Sequence, residues 1–150
     1  MARWSEIEEA EPDFALRVRE LFDARVHKTM ATLRRDGSPR ISGIEVQFED
    51  GDVWVGMMPG SVKAGDILRD PRLALHSTSE DPRPDAPDAW AGDAKLSGTA
   101  EEVPQPRAAQ GHRFRVDVKE VVLTRVGTPA DHLLIESWHE GRGRQELKRH

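Results

Sequence analysis

Apolar residues recur at two different spacings along this chain, and the change divides it into a helical start and an extended remainder. Between Phe14 and Phe22 the apolar positions recur three and four residues apart, which is typical of one face of an amphipathic helix. Ser5 and Glu8 have the spacing of a capping box for a shorter helix before it. Residues 1–25 are therefore predicted to form a helical cover over the rest of the chain.

From His27 onward the pattern changes to short β-rich runs. In residues 40–48 and 113–118 apolar positions alternate with polar ones, as they do in strands that bury one face. Turns rich in Gly, Asp and Pro separate the runs. The predicted strands are residues 28–33, 40–48, 53–57, 72–77, 93–103, 113–126 and 133–138. One helix, from Ser61 to Arg69, interrupts the series after the third strand. The pattern predicts a mainly β (α+β) single domain over residues 1–150, built as a small antiparallel barrel of six or seven strands.

Three segments and one glycine lie outside the regular pattern. Residues 78–92 form a long acidic loop, and loops of this length are usually functional or mobile. Residues 104–111 read as a connector between strands. Residues 141–150 are basic and contain glycine, so we expect a tail that is partly ordered at best. Gly98 within the fifth strand indicates a β-bulge.

Composition narrows the possible functions. The chain has no cysteine, which excludes disulfides and thiolate metal sites and favours a reducing cytoplasm. The net charge of -5 argues against a nucleic-acid partner. No apolar run approaches the roughly 20 residues of a membrane span. The six histidines show no ligand spacing along one element, so no metal is expected.

The familiar catalytic motifs are also missing, and no catalytic side chain can be named. There is no nucleophile elbow of a hydrolase and no glycine-rich loop for a dinucleotide or a nucleoside triphosphate. This absence favours either a binding protein or an enzyme whose cofactor carries the reaction.

The start of the helix at Ser61 is the best candidate for an anion site. Ser61 is a good N-cap, because its hydroxyl can accept from an amide of the first turn. Lys63 lies in that first turn, where the helix dipole disfavours a cation by roughly a few tenths of a kcal/mol. A bound phosphate would reverse the sign of this effect, since it would meet the lysine and the free amides together. The simpler interpretation is a solvated surface lysine.

Three pieces of the sequence, in this order, resemble the flavin-binding split-barrel family, also called the pyridoxamine 5'-phosphate oxidase-like family. They are residues 31–40, 61–75 and 93–100, and the resemblance extends over about residues 4–144. It implies a six-stranded split β-barrel with an N-terminal helix and a helix after the third strand. It also implies a homodimer that binds FMN, or the deazaflavin F420 in some members, in clefts at the dimer interface. The activity implied is hydride transfer to or from a small molecule.

The resemblance also implies which residues contact the cofactor. In the family a Ser-x-Lys sequence at the helix start grips the cofactor phosphate, and the end of the third strand runs along the cofactor. The second strand presents its backbone to the ring, and the last strand often lies near the cofactor. The corresponding residues here are Ser42, Ile44, Met57, Met58, Ser61, Val62, Lys63 and Trp138.

The chain departs from the true vitamin B6 oxidases of that family. Ser42 and Gln47 stand where those enzymes carry Arg and Lys, and Val62 replaces an Arg. Asp93 stands in place of a strand glutamine near the ring. Vitamin B6 oxidation is therefore not the expected activity. Basic residues that would meet the long anionic tail of F420 are Arg40, Lys95 and Arg142.

Three functional hypotheses follow from the sequence. The first is an FMN- or F420-dependent oxidoreductase. The second is a non-catalytic split-barrel protein that binds a cofactor or haem. The third is a structural dimer in which Lys63 is merely solvated, so that Lys63→Ala would leave ligand binding unchanged.

Overall fold

Six antiparallel strands close into a barrel in the computed structural model, which describes residues 2–107 and 110–150. The neighbours around the barrel run β1–β2–β3–β6–β5–β4 and return to β1. Two further strands extend the sheet outside the ring from β6. This arrangement confirms the predicted six-stranded barrel. The strands are β1 (His27–Leu33), β2 (Pro39–Glu49), β3 (Asp52–Met57), β4 (Arg72–His76), β5 (Asp93–Glu102), β6 (His112–Val126), β7 (Leu133–His139) and β8 (Gly143–Arg149).

The long strand β6 joins the barrel to its extension. Its first half pairs with β3, where Val53 lies opposite Val116, and its second half pairs with β7, where Trp138 lies opposite Val121. The alternation seen in the sequence decides which side chains point inward. In β2, for example, Ile44 is buried in the core.

Two helices cover the barrel and a third follows β3, as predicted. Trp4 on the first helix packs edge-on against Phe48 of β2, with ring centroids 4.9 Å apart. The capping contact lies two residues earlier than predicted, because the backbone N–H of Arg3 donates to Glu6 Oε2 at 2.8 Å. The helices are α1 (Trp4–Ala10), α2 (Pro12–Asp23) and α3 (Val62–Arg69).

The structure differs from the expected partly ordered tail at residues 141–150. Most of this segment forms β8, which pairs with β7 along its whole length. Arg144 of β8 donates to the buried carboxylate of Glu136 on β7. The tail gave no strand signal because nearly all its side chains are polar and exposed, with Leu147 the one large apolar residue.

The acidic loop at residues 78–92 packs on its own chain. Its Trp90 donates from Nε1 to the carbonyl of Glu80 at 2.6 Å, and Glu80 also pairs with Arg25. The predicted connector at 104–111 lies partly outside the described residues. Within the described part of the chain, no helix has the length and apolar character needed to cross a membrane.

Candidate functional site

An open cleft of about 330 Å³ lies where the N-terminus of α3 meets β2. Ser61 is the N-cap of α3, as predicted, and its Oγ accepts from the amide of Ala64 at 3.3 Å. The amides of Val62 and Lys63 come earlier in the turn and have no intrahelical acceptor. The cleft therefore combines free amides with the positive end of a helix dipole. Its lining is Arg34, Arg40, Ile41, Ser42, Ser61, Val62 and Lys63.

Lys63 points from α3 across to β2. Its Nζ donates to the backbone carbonyl of Gly43 at 2.8 Å. Among the described residues, no carboxylate forms an ion pair with it. The ammonium charge thus remains available to an anion in the cleft, in the position that the sequence predicted for a phosphate contact.

A buried carboxylate beneath the cleft holds a second cation in place. Asp66 of α3 is only 2% exposed, and its oxygens accept from Thr32 at 2.8 Å, Arg40 at 2.7 Å and Arg69 at 3.1 Å. Burial alone would raise the pKa of Asp66, but these hydrogen bonds outweigh it and lower the pKa. Arg40 donates through Nε, and its terminal amino groups make no hydrogen bond to any other described residue, which leaves them available to a ligand. Sequence reasoning missed Asp66, whose one signal was the Asp–Arg pair three residues apart on α3.

A second basic cleft of about 630 Å³ continues from the first. The two share Arg34, Arg40 and Val62. Arg34 and Arg35, in the turn between β1 and β2, make no side-chain hydrogen bond or ion pair within residues 2–107 and 110–150. Their adjacency in the sequence is the signal that indicates a basic turn. Two aspartates, Asp36 and Asp66, also line the second cleft, so its four arginines leave it with a net positive charge.

A third cleft, of about 600 Å³, lies at the end of β3 and the start of β6. Met57 and Met58 both line it, but the strand alternation buries Met57 and leaves Met58 79% exposed. The guanidinium carbon of Arg113 lies 3.7 Å from the centroid of the Trp54 ring. His112 completes one wall. Polar side chains share the lining with these residues, namely Glu45, Gln47, Gln105 and Gln110, so the cleft beside the β3–α3 connection is of mixed polarity.

The remaining residues that were predicted to contact the cofactor lie either in the first cleft or in the hydrophobic core. Ser42 lines the first cleft beside Lys63. Ile44 and Trp138 are buried in the hydrophobic core, and Trp138 lines none of the three clefts. Arg142, which the sequence suggested for the F420 tail, donates to the hydroxyl of Ser137. The cofactor-binding roles of these residues stay predictions.

No protein-family model matches the sequence, and no curated protein matches it either. Solved structures do share its fold. PhzG from Burkholderia lata 383, in complex with tetrahydrophenazine-1-carboxylic acid, is 12% identical with a TM-score of 0.66, covering 99% of this chain and 96% of PhzG. An F420 reductase is 15% identical with a TM-score of 0.52, over 69% and 94% of the two chains. A heme-binding protein from Mycobacterium smegmatis is 14% identical with a TM-score of 0.54, over 89% and 86%.

These neighbours are split-barrel proteins of the pyridoxamine 5'-phosphate oxidase-like kind. The closed six-stranded ring, the helical cover and the helix after β3 are common to this class, so the chain has the split-barrel fold. The likeness establishes the fold alone.

Proposed function

We propose that this protein is an oxidoreductase that binds a flavin or a deazaflavin and moves a hydride to or from a small molecule. The observation that supports the proposal most is the group of cations at the start of α3. Lys63 has no carboxylate partner among the described residues, and Arg40 is oriented by a buried aspartate. Two cations, a helix N-terminus and an N-cap serine suit a phosphate dianion.

In this proposal, different residues contact the phosphate and the ring of the cofactor. Ser61, Lys63 and the free amides would hold the phosphate. The backbone around Ser42 and the wall formed by Met57 and Met58 would lie along the ring. The bound cofactor supplies the hydride chemistry, while the protein orients the ring and excludes water from it. No side chain is proposed as an acid or a base.

The proposed active form is a homodimer that closes the clefts. Three large apolar side chains flank them and are exposed in one chain, namely Ile41 at 75%, Val62 at 64% and Met58 at 79%. A second copy packed there would bury this surface and shield the ring from water. The proposed location is the cytoplasm, which suits a cysteine-free chain.

The second basic cleft bears on which cofactor is bound. FMN carries one phosphate, which the first cleft would satisfy. Arg34 and Arg35 extend the positive surface beyond it. This extension supports F420, with its long anionic tail, as the alternative to FMN.

Titration of the purified protein with FMN and with F420, followed by absorbance and fluorescence, tests the proposal. We expect Lys63→Ala to weaken binding by about 1.5–3 kcal/mol, roughly 10- to 150-fold, because it removes a charge-assisted contact. The matched control is Lys148→Ala, an exposed lysine on β8, which should leave the affinity unchanged. Thermal unfolding of both variants separates lost binding from lost folding. If the Lys63→Ala protein binds the cofactor with the same affinity as the wild type, the proposed contact between Lys63 and the phosphate is contradicted.

The second candidate function is a non-catalytic carrier of a cofactor or of haem. It is supported by the third cleft, where His112 lies with Met57 and Met58, since imidazole and thioether are both haem-iron ligands. Titration with haemin distinguishes this candidate, because axial ligation shifts the Soret band and His112→Ala would abolish the shift. A flavin that binds but is never reduced or reoxidised would also favour the carrier.

A further inference from the structure

The open end of the β7–β8 hairpin brings two histidines together. His132 directly precedes β7 and His150 directly follows β8. These strands pair antiparallel with Leu133 opposite Arg149, so the two histidines face each other one residue further along. Their ring centroids lie 5.2 Å apart. The two residues are far apart in the sequence, so a search for ligands spaced along one element does not find them.

A carboxylate completes the group. Asp131 Oδ1 lies 2.7 Å from His132 Nδ1. One ring nitrogen from each histidine and one oxygen of Asp131 lie within 4.8 Å of one another. Zinc bonds of about 2.0–2.2 Å place tetrahedral ligand atoms roughly 3.3 Å apart, so rotation of the exposed His150 side chain would bring the set into range. No other group of three such ligands occurs in the described parts of the chain.

The first ligand is held in position by packing. The His132 side chain is only 8% exposed, and its ring lies against Gly127. A Cβ at Gly127 would lie 2.1 Å from Nε2, so this nitrogen faces the backbone and Nδ1 faces Asp131. The backbone N–H of Gly127 also donates to the carbonyl of His132 at 2.9 Å. Asp131 and His150 are exposed, which leaves the site open to an ion from solvent.

We propose that Asp131, His132 and His150 bind a divalent transition-metal ion, with Zn²⁺ as the first choice. Two imidazole nitrogens and one carboxylate form a donor set for Zn²⁺, whereas Mg²⁺ and Ca²⁺ prefer oxygen alone. The ion lies beside His132 Nδ1 and Asp131 Oδ1, which are in hydrogen-bond contact without it. It joins the loop before β7 to the end of β8 and keeps a coordination position for water.

Calorimetric titration of ZnCl₂ into chelator-treated protein without a polyhistidine tag tests the proposal. We expect about one ion per chain and a rise in the midpoint of thermal unfolding. His150→Ala and Asp131→Asn should each weaken binding by about tenfold or more. His150 is exposed at the end of β8, so its replacement should leave the fold intact, as the circular dichroism spectrum without metal will show.

The matched control is His139→Ala. His139 also contacts a carboxylate, with Nε2 2.9 Å from Glu120, but within residues 2–107 and 110–150 no third ligand completes a site there. Its replacement should leave Zn²⁺ affinity unchanged. Co²⁺ gives an independent readout, since the wild type should show visible absorption bands that His150→Ala removes. The proposal is overturned if the wild type shows no saturable binding tighter than about 100 μM, or if His139→Ala weakens binding as much as His150→Ala does.

Discussion

At the scale of single residues, Glu136 is a buried carboxylate that links three elements of the fold. It is fully buried on β7 and accepts from Arg17 of α2 and Arg144 of β8. Burial alone would raise the pKa of Glu136, but the two arginines outweigh it and lower the pKa to about 2. The Glu136 carboxylate thus connects α2 and β8 to β7 through hydrogen bonds.

Glu136→Gln should destabilise the protein at neutral pH. The pKa falls from an ordinary 4.5 to about 2, which corresponds to on the order of 3 kcal/mol of stabilisation. Because the pKa is lowered on folding, this stabilisation is present above about pH 4.5 and is lost as the pH falls toward 2. Urea unfolding can be followed by tryptophan fluorescence from pH 7 to pH 3 for both proteins. The free energy of unfolding should therefore fall more for the wild type than for the variant over this range.

Glu146→Gln is the control for that measurement. Glu146 contacts the same arginine, Arg144, at 3.1 Å, but its side chain is 43% exposed. Exposed pairs contribute about 0–1 kcal/mol, so this variant should unfold nearly as the wild type does. Equal effects of the two substitutions would contradict a special role for the buried carboxylate.

At the scale of elements, the β5–β6 pair shows how one residue shapes the barrel. The register shifts between Ser97 and Gly98, which confirms the bulge predicted at Gly98. A Cβ at Gly98 would lie 1.9 Å from the backbone oxygen of Asp117. The neighbouring strand therefore approaches too closely for any side chain at this position.

Gly98→Ala should destabilise the barrel by about 1–3 kcal/mol, because the Asp117 backbone must move to admit a methyl group. The control is Gly43→Ala on β2, where a Cβ meets nothing within 4 Å. That variant should be neutral or slightly stabilising, since alanine has less conformational freedom to lose on folding. Denaturant unfolding without ligand measures both. A Gly98→Ala protein as stable as the control would show that the bulge relaxes at little cost.

At the scale of the whole molecule, the apolar surface near the clefts is the main feature that one chain leaves unexplained. Ile41 and Val62 line the first cleft, and Met58 lines the third cleft. The proposed homodimer would bury these side chains and would complete the proposed cofactor site.

Ile41→Glu should convert the proposed dimer to a monomer. A carboxylate buried in an apolar interface without a partner costs on the order of several kcal/mol. Light scattering coupled to size exclusion should give twice 16.8 kDa for the wild type and about 16.8 kDa for the variant. Leu147→Glu, at an exposed apolar position on β8, should remain a dimer. A wild-type protein that is monomeric at micromolar concentration would contradict the proposed assembly.

The sequence by itself determined the elements that bury apolar side chains. The β-rich runs and the turns between them placed β1 to β7 within a few residues, and the N-cap at Ser61 with Pro71 after the helix bounded α3. It also pointed to Lys63, since a cation in the first turn conflicts with the helix dipole unless an anion is bound. β8 was not predicted, because it is an exposed edge strand with mostly polar side chains and its sequence therefore shows no apolar face.

Only the tertiary structure decided which distant residues meet. The β3–β6 pairing closes the barrel. Asp66 accepts hydrogen bonds from both Arg40 and Arg69. The β7–β8 register places His132 beside His150. Polarity along a strand shows which face is buried, but it does not show which strand is the neighbour or in what register. Those choices depend on packing the whole core at once, so the clefts appear only when the barrel is closed.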